Sequence, residues 1–162
     1  GNPEKDMMMK PRLDPIAVAG ADLEPMLKLS KGVYESGLEP SLIELVKIRA
    51  SQINGCAYCI HMHTAEARAK GETEEAIYLL DAWRESPIYS DRERAALAWT
   101  EALTRVADTH ASDEDYARLD AHFSDEEKVK LTLLIGVINT WNRIAIGFRS
   151  VHPVRKIERA AA

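Results

Sequence analysis

Residues 54–71 read NGCAYCIHMHTAEARAKG and hold both cysteines of the chain, Cys56 and Cys59, with two of its five histidines, His61 and His63. Three meanings are open to that set. Cysteines at C-x-x-C spacing suit thiol–disulfide exchange, cysteines with histidines are zinc-ligand types, and a free cysteine is often no more than a small buried apolar group. If a helix begins at Cys56 or Ala57, its unsatisfied N–H groups and dipole favour a thiolate in its first turn. Cys59 and His63, four residues apart, then share one face, so the imidazole can accept the thiol proton or hold the thiolate as an ion pair. His61 falls on the far side of the same helix. A closed zinc site usually draws its ligands from two separated segments, and a single helix does not supply them. The redox reading therefore leads, with no metal expected.

A carboxylate can join this pair from outside the quoted stretch. Glu44 lies on the preceding helical segment, and a tight turn at Asn54-Gly55 would fold the two helices into a hairpin that brings it back towards His63. The same glutamate also fits a capping box, Ser41-x-x-Glu44, in which its side chain would turn back to the helix start. Only an inward-turned side chain is compatible with an acid–base relay.

The elements needed to position these groups are all helical. Residues 22–36 carry Leu23, Met26, Leu27, Val33 and Tyr34 at helical spacing. A second helix starts after Pro40 with Ser41 as its N-cap and stops at Asn54-Gly55, and a third runs from Cys56 or Ala57 to Ala69, before Gly71. Thr73 opens a fourth that carries Ile77, Leu79, Leu80 and Trp83 before Ser86-Pro87, Ser90 a fifth, and Ser112 with Asp115 a shorter sixth. Ser124-x-x-Glu127 caps the last long helix, which is apolar nearly all round and belongs in the core or in a subunit interface. The Cys56/Cys59 spacing after Ser41 recurs weakly as Asn139/Asn142 after Ser124. No alternating strand or hairpin dipeptide interrupts this pattern, so the fold class is all-α, with six to seven helices. Trp83, Trp99 and Trp141 are packing residues by their apolar faces, and His110, His122 and His152 stand in loop or helix-end contexts.

Glu44, Cys56, Cys59 and His63, in the order E-x(11)-C-x-x-C-x-x-x-H within ELVKIRASQINGCAYCIHMHTAEARAKG, resemble the core motif of the AhpD-like alkylhydroperoxidase branch of the carboxymuconolactone decarboxylase family. The later LLIGVINTWNRIAIGFR is similar in style to that family's final helix. The resemblance implies a compact all-helical domain over residues 10–155, with tails at 1–9 and 156–162, assembled as a homo-oligomeric trimer or hexamer. It also implies an antioxidant peroxidase in which Cys59 attacks a hydroperoxide, Cys56 resolves the product to a disulfide, and His63 with Glu44 relays protons. No cofactor beyond the redox-active disulfide follows; the reductant would be an external dithiol on a lipoyl-bearing or thioredoxin-like partner. Helix-start electrostatics alone would make Cys56 the more acidic sulfur. Where relatives often carry a histidine directly before the second cysteine, this chain has Tyr58, a phenol that donates a hydrogen bond but is a poor base at neutral pH. Decarboxylase members generally lack the cysteine pair. The alternatives are a decarboxylase-like enzyme and a non-enzymatic redox sensor or oligomeric interaction protein.

Composition bounds the rest. A chain of 162 residues with 46% hydrophobic and 29% charged residues can bury a substantial core without a metal or disulfide staple. A C-x-x-C disulfide closes too small a loop to stabilise much, which leaves chemistry as the better reason for the pair. A net charge of -5 offers no basic stripe for nucleic acid. No stretch approaches a membrane span or a secretory h-region, so a cytoplasmic location is the default expectation. Met7, Met8 or Met9 is a candidate native start, and Gly1 to Asp6 are left out of the fold reasoning.

Overall fold

The computed structural model describes residues 10–154, so the expected tails lie outside the described residues. Among the described residues the chain forms eight α-helices and one 3-10 helix, with no strand. These are α1 (Pro15–Tyr34), α2 (Pro40–Asn54), α3 (Ala57–Ala69), α4 (Glu74–Tyr78), the 3-10 helix Leu80–Glu85, α5 (Asp91–Thr104), α6 (Val106–Thr109), α7 (Asp113–Asp120) and α8 (Asp125–Gly147). The all-α expectation holds, with more pieces than the six to seven expected.

Helix α2 is the hub, packing against α3, α5 and α8. Its sequence explains why: every residue from Leu42 to Ser51 is buried, the charged Glu44, Lys47 and Arg49 included. One core cluster gathers Leu42, Ile43 and Val46 against Trp99, Leu131, Leu134 and Ile135. A second joins Leu45 and Ile48 to Leu80, Trp83 and Leu97. Burying a side chain of this size is worth about 1.5–3 kcal/mol, so α2 is held by apolar contact on two sides before any polar contact is considered.

The boundaries correct the sequence reading in three places. Helix α1 starts well before residue 22, because the Asp14 carboxylate accepts from the Ile16 and Ala17 amides at 3.0 and 3.2 Å and Pro15 supplies a pre-set first turn. It is kinked at Ala19. Helix α2 starts at Pro40 with Glu39 before it, and Ser41 caps nothing; its hydroxyl donates to Glu72 at 2.7 Å. The expected capping box with Glu44 is absent, which removes the capping-box half of the Ser41/Ser124 echo. The expected fourth helix breaks after Tyr78, and its second half winds as a 3-10 turn that buries Leu80 and Trp83. There the Trp83 indole donates to Glu101 at 2.9 Å, an anchor that overrides helical periodicity. The capping boxes at Ser90/Glu93 and Ser124/Glu127 are formed. Helix α8 buries one face through Leu131, Leu134, Ile135, Ile138 and Asn142, and leaves Val129, Leu133 and Ile146 exposed. No helix among the described residues is long and apolar enough to cross a membrane.

Candidate active site

The turn between α2 and α3 sets the site. Gly55 takes φ +70, a left-handed conformation that favours glycine, and reverses the chain so that α3 runs back along α2. Cys56 is the N-cap of α3, and its sulfur accepts the Cys59 amide at 3.3 Å. The two cysteines are joined as a disulfide, with Cα atoms 5.3 Å apart. Both are buried, at 1% and 2% exposure, against Ala145 of α8 and under Tyr58.

A polar brace fastens this turn to α8. The Asn54 amide donates to Asn139 Oδ1 and Asn142 Oδ1, both at 2.9 Å, and Asn142 Nδ2 donates to the Ser51 hydroxyl at 3.0 Å. The backbone N–H of Cys56 donates to the Ser51 carbonyl at 3.0 Å. Asn139 and Asn142, seen in the sequence only as an echo of the cysteines, therefore hold the hairpin that carries them.

The four expected residues are brought to one place. Glu44 turns inwards with 1% exposure, His63 is buried one turn after Cys59, and Glu44, Cys59 and His63 line a common cavity. Their pairing differs from the expected one. His63 Nδ1 lies 3.1 Å from Glu66 Oε2, while Glu44 Oε1 takes the Lys70 ammonium at 2.6 Å and that of Lys47 at 3.2 Å. Lys47, 3% exposed, also lies 3.4 Å from Glu66 Oε2, with its ammonium 4.2 Å from the centre of the Tyr34 ring. Lys47, Glu66 and Lys70 were not singled out by sequence, and Tyr34 was read only as one of the spaced positions of the first helix. The only signal for Lys47 and Glu66 was their three-residue spacing from Glu44 and His63, common on any helix.

Burial, reinforced by the Lys47 charge, lowers the His63 pKa below its ordinary value of 6.5, which favours the neutral imidazole. Burial alone would raise Glu66, but the hydrogen bond with His63 and the charge of Lys47 outweigh it and hold that carboxyl below its usual range. The Tyr34 phenol is pushed up to about 12 by burial and by the charges of Glu66 and Glu44, so it stays protonated. One ligand-type atom from each of Glu44, His63 and Glu66 falls within 4.8 Å of the others, a spacing that could surround a cation. The Lys47 ammonium bonds to both carboxylates and joins them in an ion-pair network. His61 lies outside it, exposed and stacked on His152 with ring centres 4.6 Å apart.

The cavity is about 890 Å³, ample for a drug-sized molecule. Its walls are Leu23 and Leu27 of α1, Ile43 of α2, Met62 of α3, and Trp141 and Ile144 of α8; Cys59 lines it and Cys56 does not. Trp141, read from sequence as a packing residue, is therefore also a cavity wall, held there by its indole N–H donating to Ser30 at 2.7 Å.

Comparison with known proteins agrees with this geometry. The profile of the carboxymuconolactone decarboxylase family matches residues 23–102. The uncharacterized protein YdfG of Bacillus subtilis is 43% identical over 138 residues, covering 85% of this chain and 94% of that one. The crystal structure of a protein of unknown function from Agrobacterium tumefaciens, put forward as an antioxidant defence protein AhpD, is 50% identical. It superposes with a TM-score of 0.88 over 90% of this chain and 100% of that one. The alkylhydroperoxidase AhpD core of a peroxidase-related protein from Ralstonia eutropha shares the fold, with a TM-score of 0.75 over 85% of this chain and 74% of that one at 18% identity. The helical hairpin that carries the cysteine pair, the sequence match and the superposition together place this chain in the carboxymuconolactone decarboxylase family, with the AhpD-like fold.

Proposed function

We propose that this protein is a thiol peroxidase that reduces bulky, apolar hydroperoxides through the Cys56/Cys59 pair. The observation that carries the reading is the arrangement of the two sulfurs. Cys59 faces a large apolar cavity one helical turn from a neutral histidine, while Cys56 is bonded behind it, away from that cavity. In the reduced protein His63 takes the Cys59 proton, and the thiolate attacks the terminal oxygen of R–O–O–H. The S–O bond forms, the O–O bond breaks, and the leaving alkoxide takes the proton back from His63 as alcohol. Cys59 is now a sulfenic acid; Cys56 attacks its sulfur, water leaves, and the disulfide closes. Two thiols and one hydroperoxide give one disulfide, one alcohol and one water. An external dithiol, on a lipoyl-bearing or thioredoxin-like partner, reopens the pair by two exchanges.

The cavity argues for size selectivity. Glu44, Glu66, Lys47 and Lys70 are paired among themselves, and its walls reward apolar area at about 25 cal/mol per Å². Cumene hydroperoxide is expected to give a kcat/KM more than about tenfold above that of hydrogen peroxide. Dithiol-dependent turnover, followed by alcohol release, tests the function, and Cys59→Ser should abolish it. Retained turnover in that variant removes the mechanism. Oxidation of the pair by peroxide without turnover under any dithiol would make the protein a redox sensor instead. A trimeric or hexameric assembly accompanies the reading, supported by the exposed apolar side chains of α1 (Ile16, Val18, Leu27) and α8 (Val129, Leu133, Ile146). Light scattering that returned a monomer at micromolar concentration would refute it.

A further inference from the structure

Three helices deliver charge or a polar ring to one point beside Cys59. Helix α1 brings Tyr34, α2 brings Glu44 and Lys47, and α3 brings His63 and Glu66 with Lys70 at its C-cap, while the α8 wall contributes Trp141, Ile144 and Ala145 and no charge. The two carboxylates are not equivalent. Both lysines bond to Glu44 Oε1, and the other oxygen, Oε2, is buried with no protein donor among the described residues. Glu66 offers its Oε2 to His63 at 3.1 Å and to Lys47 at 3.4 Å, and its side chain is 42% exposed. The expected carboxylate is thus locked to lysines, and a second one has taken the imidazole.

We infer that Lys47 is a positioning residue of this site: its ammonium holds Glu44 away from His63 and fixes Glu66 as the carboxylate that pairs with the imidazole. The inference builds on the proposed thiol chemistry only in taking His63 as the proton acceptor. Two carboxylates this close to one imidazole would, without a cation between them, draw a proton onto it and remove its use as a base. Lys47 supplies that cation from outside the imidazole. His63 can then stay neutral, donate Nδ1–H to Glu66 and keep Nε2 as the acceptor for a thiol proton. Glu66, half in solvent, gives the proton a way out of the site that does not pass through Glu44. Lys47 reaches the chemistry only through these partners, so it positions rather than reacts.

The test uses the reduced full-length protein and needs no peroxide turnover. The His63 ring resonance, assigned by its loss in His63→Gln, is titrated by NMR in wild type, Lys47→Met, Lys47→Arg, Glu66→Gln and Glu44→Gln. Lys47→Met is expected to raise the His63 midpoint by about one pH unit, and Lys47→Arg to return it towards wild type. Glu66→Gln should lower the midpoint further than Glu44→Gln does. An unmoved midpoint in folded Lys47→Met overturns the inference, and so does a Glu44→Gln shift that equals or exceeds that of Glu66→Gln. Should Lys47→Met fail to fold, as judged by circular dichroism, the two glutamine variants decide the question between them. If the midpoints move as expected and cumene hydroperoxide is still not turned over, the relay stands and the peroxidase reading falls.

Discussion

At the scale of single residues, His63 shows how burial and charge set chemistry and stability together. Its folded-state pKa lies below the unfolded value of 6.5, so the unfolded chain binds its proton first as pH falls. The contribution of the buried neutral imidazole is therefore whole above about pH 6.5 and is lost progressively below it, down to the folded pKa. Chemical denaturation between pH 8 and pH 5 should show this loss, and His63→Gln should flatten the profile in that window. A profile equally steep in the variant would assign the pH dependence elsewhere. Glu44, Cys56, Cys59 and His63 were legible in the sequence because their spacing survives without knowledge of the fold. The partnership of His63 with Glu66 was not, because i,i+3 pairs are common on exposed helix faces and nothing local says which side chain faces inwards.

At the scale of elements, the hairpin α2–α3 owes its angle to side chains from elsewhere in the chain. Asn142 is wholly buried and joins Asn54 to Ser51, so replacing it leaves their polar groups without this partner beneath the cysteine turn. Asn142→Leu is expected to cost about 1–3 kcal/mol in urea unfolding. It should also slow disulfide closure more than Asn142→Asp does; an unchanged closure rate in the folded leucine variant would show that the brace serves stability alone. A second network, with Arg49 and Trp83 buried and Asp81 and Arg84 exposed, does for the far side of α2 what the asparagines do for its end. Arg49 meets Asp81 at 2.7 Å and Glu101 at 3.0 Å, and Glu101 also accepts from Trp83 and Arg84. Glu101→Ala leaves the Trp83 indole without its acceptor and Arg49 with Asp81 and Gln52 alone, and should destabilise by about 1–3 kcal/mol, lowering the melting temperature with little effect on peroxide kinetics in the remaining folded protein. The helices with strong local signals, a serine start at Ser90, a capping box at Ser124 and a glycine stop at Gly55, were readable in advance. The break after Tyr78 was not, since it follows from the pull of Glu101, more than fifteen residues away in sequence, on Trp83.

At the scale of the whole molecule, the cavity joins elements whose meeting no local pattern announces. Leu27 of α1, Met62 of α3 and Ile144 of α8 meet only in three dimensions. Leu27→Trp should shrink the space, lowering kcat/KM for cumene hydroperoxide by about tenfold or more while leaving hydrogen peroxide nearly untouched. Equal losses for both peroxides would mean that the walls do not select. Part of the cavity wall also lies outside the stretch of chain that carries the reacting groups. Glu44, Lys47, Cys56, Cys59, His63 and Glu66 all lie within residues 23–102, the stretch shared with the family at large, whereas Ile16, Trp141 and Ile144 lie outside it. The protein is in this sense partly modular: a chimera that takes the first turns of α1 from a relative would exchange part of the cavity wall and leave the cysteine hairpin with its asparagine brace intact.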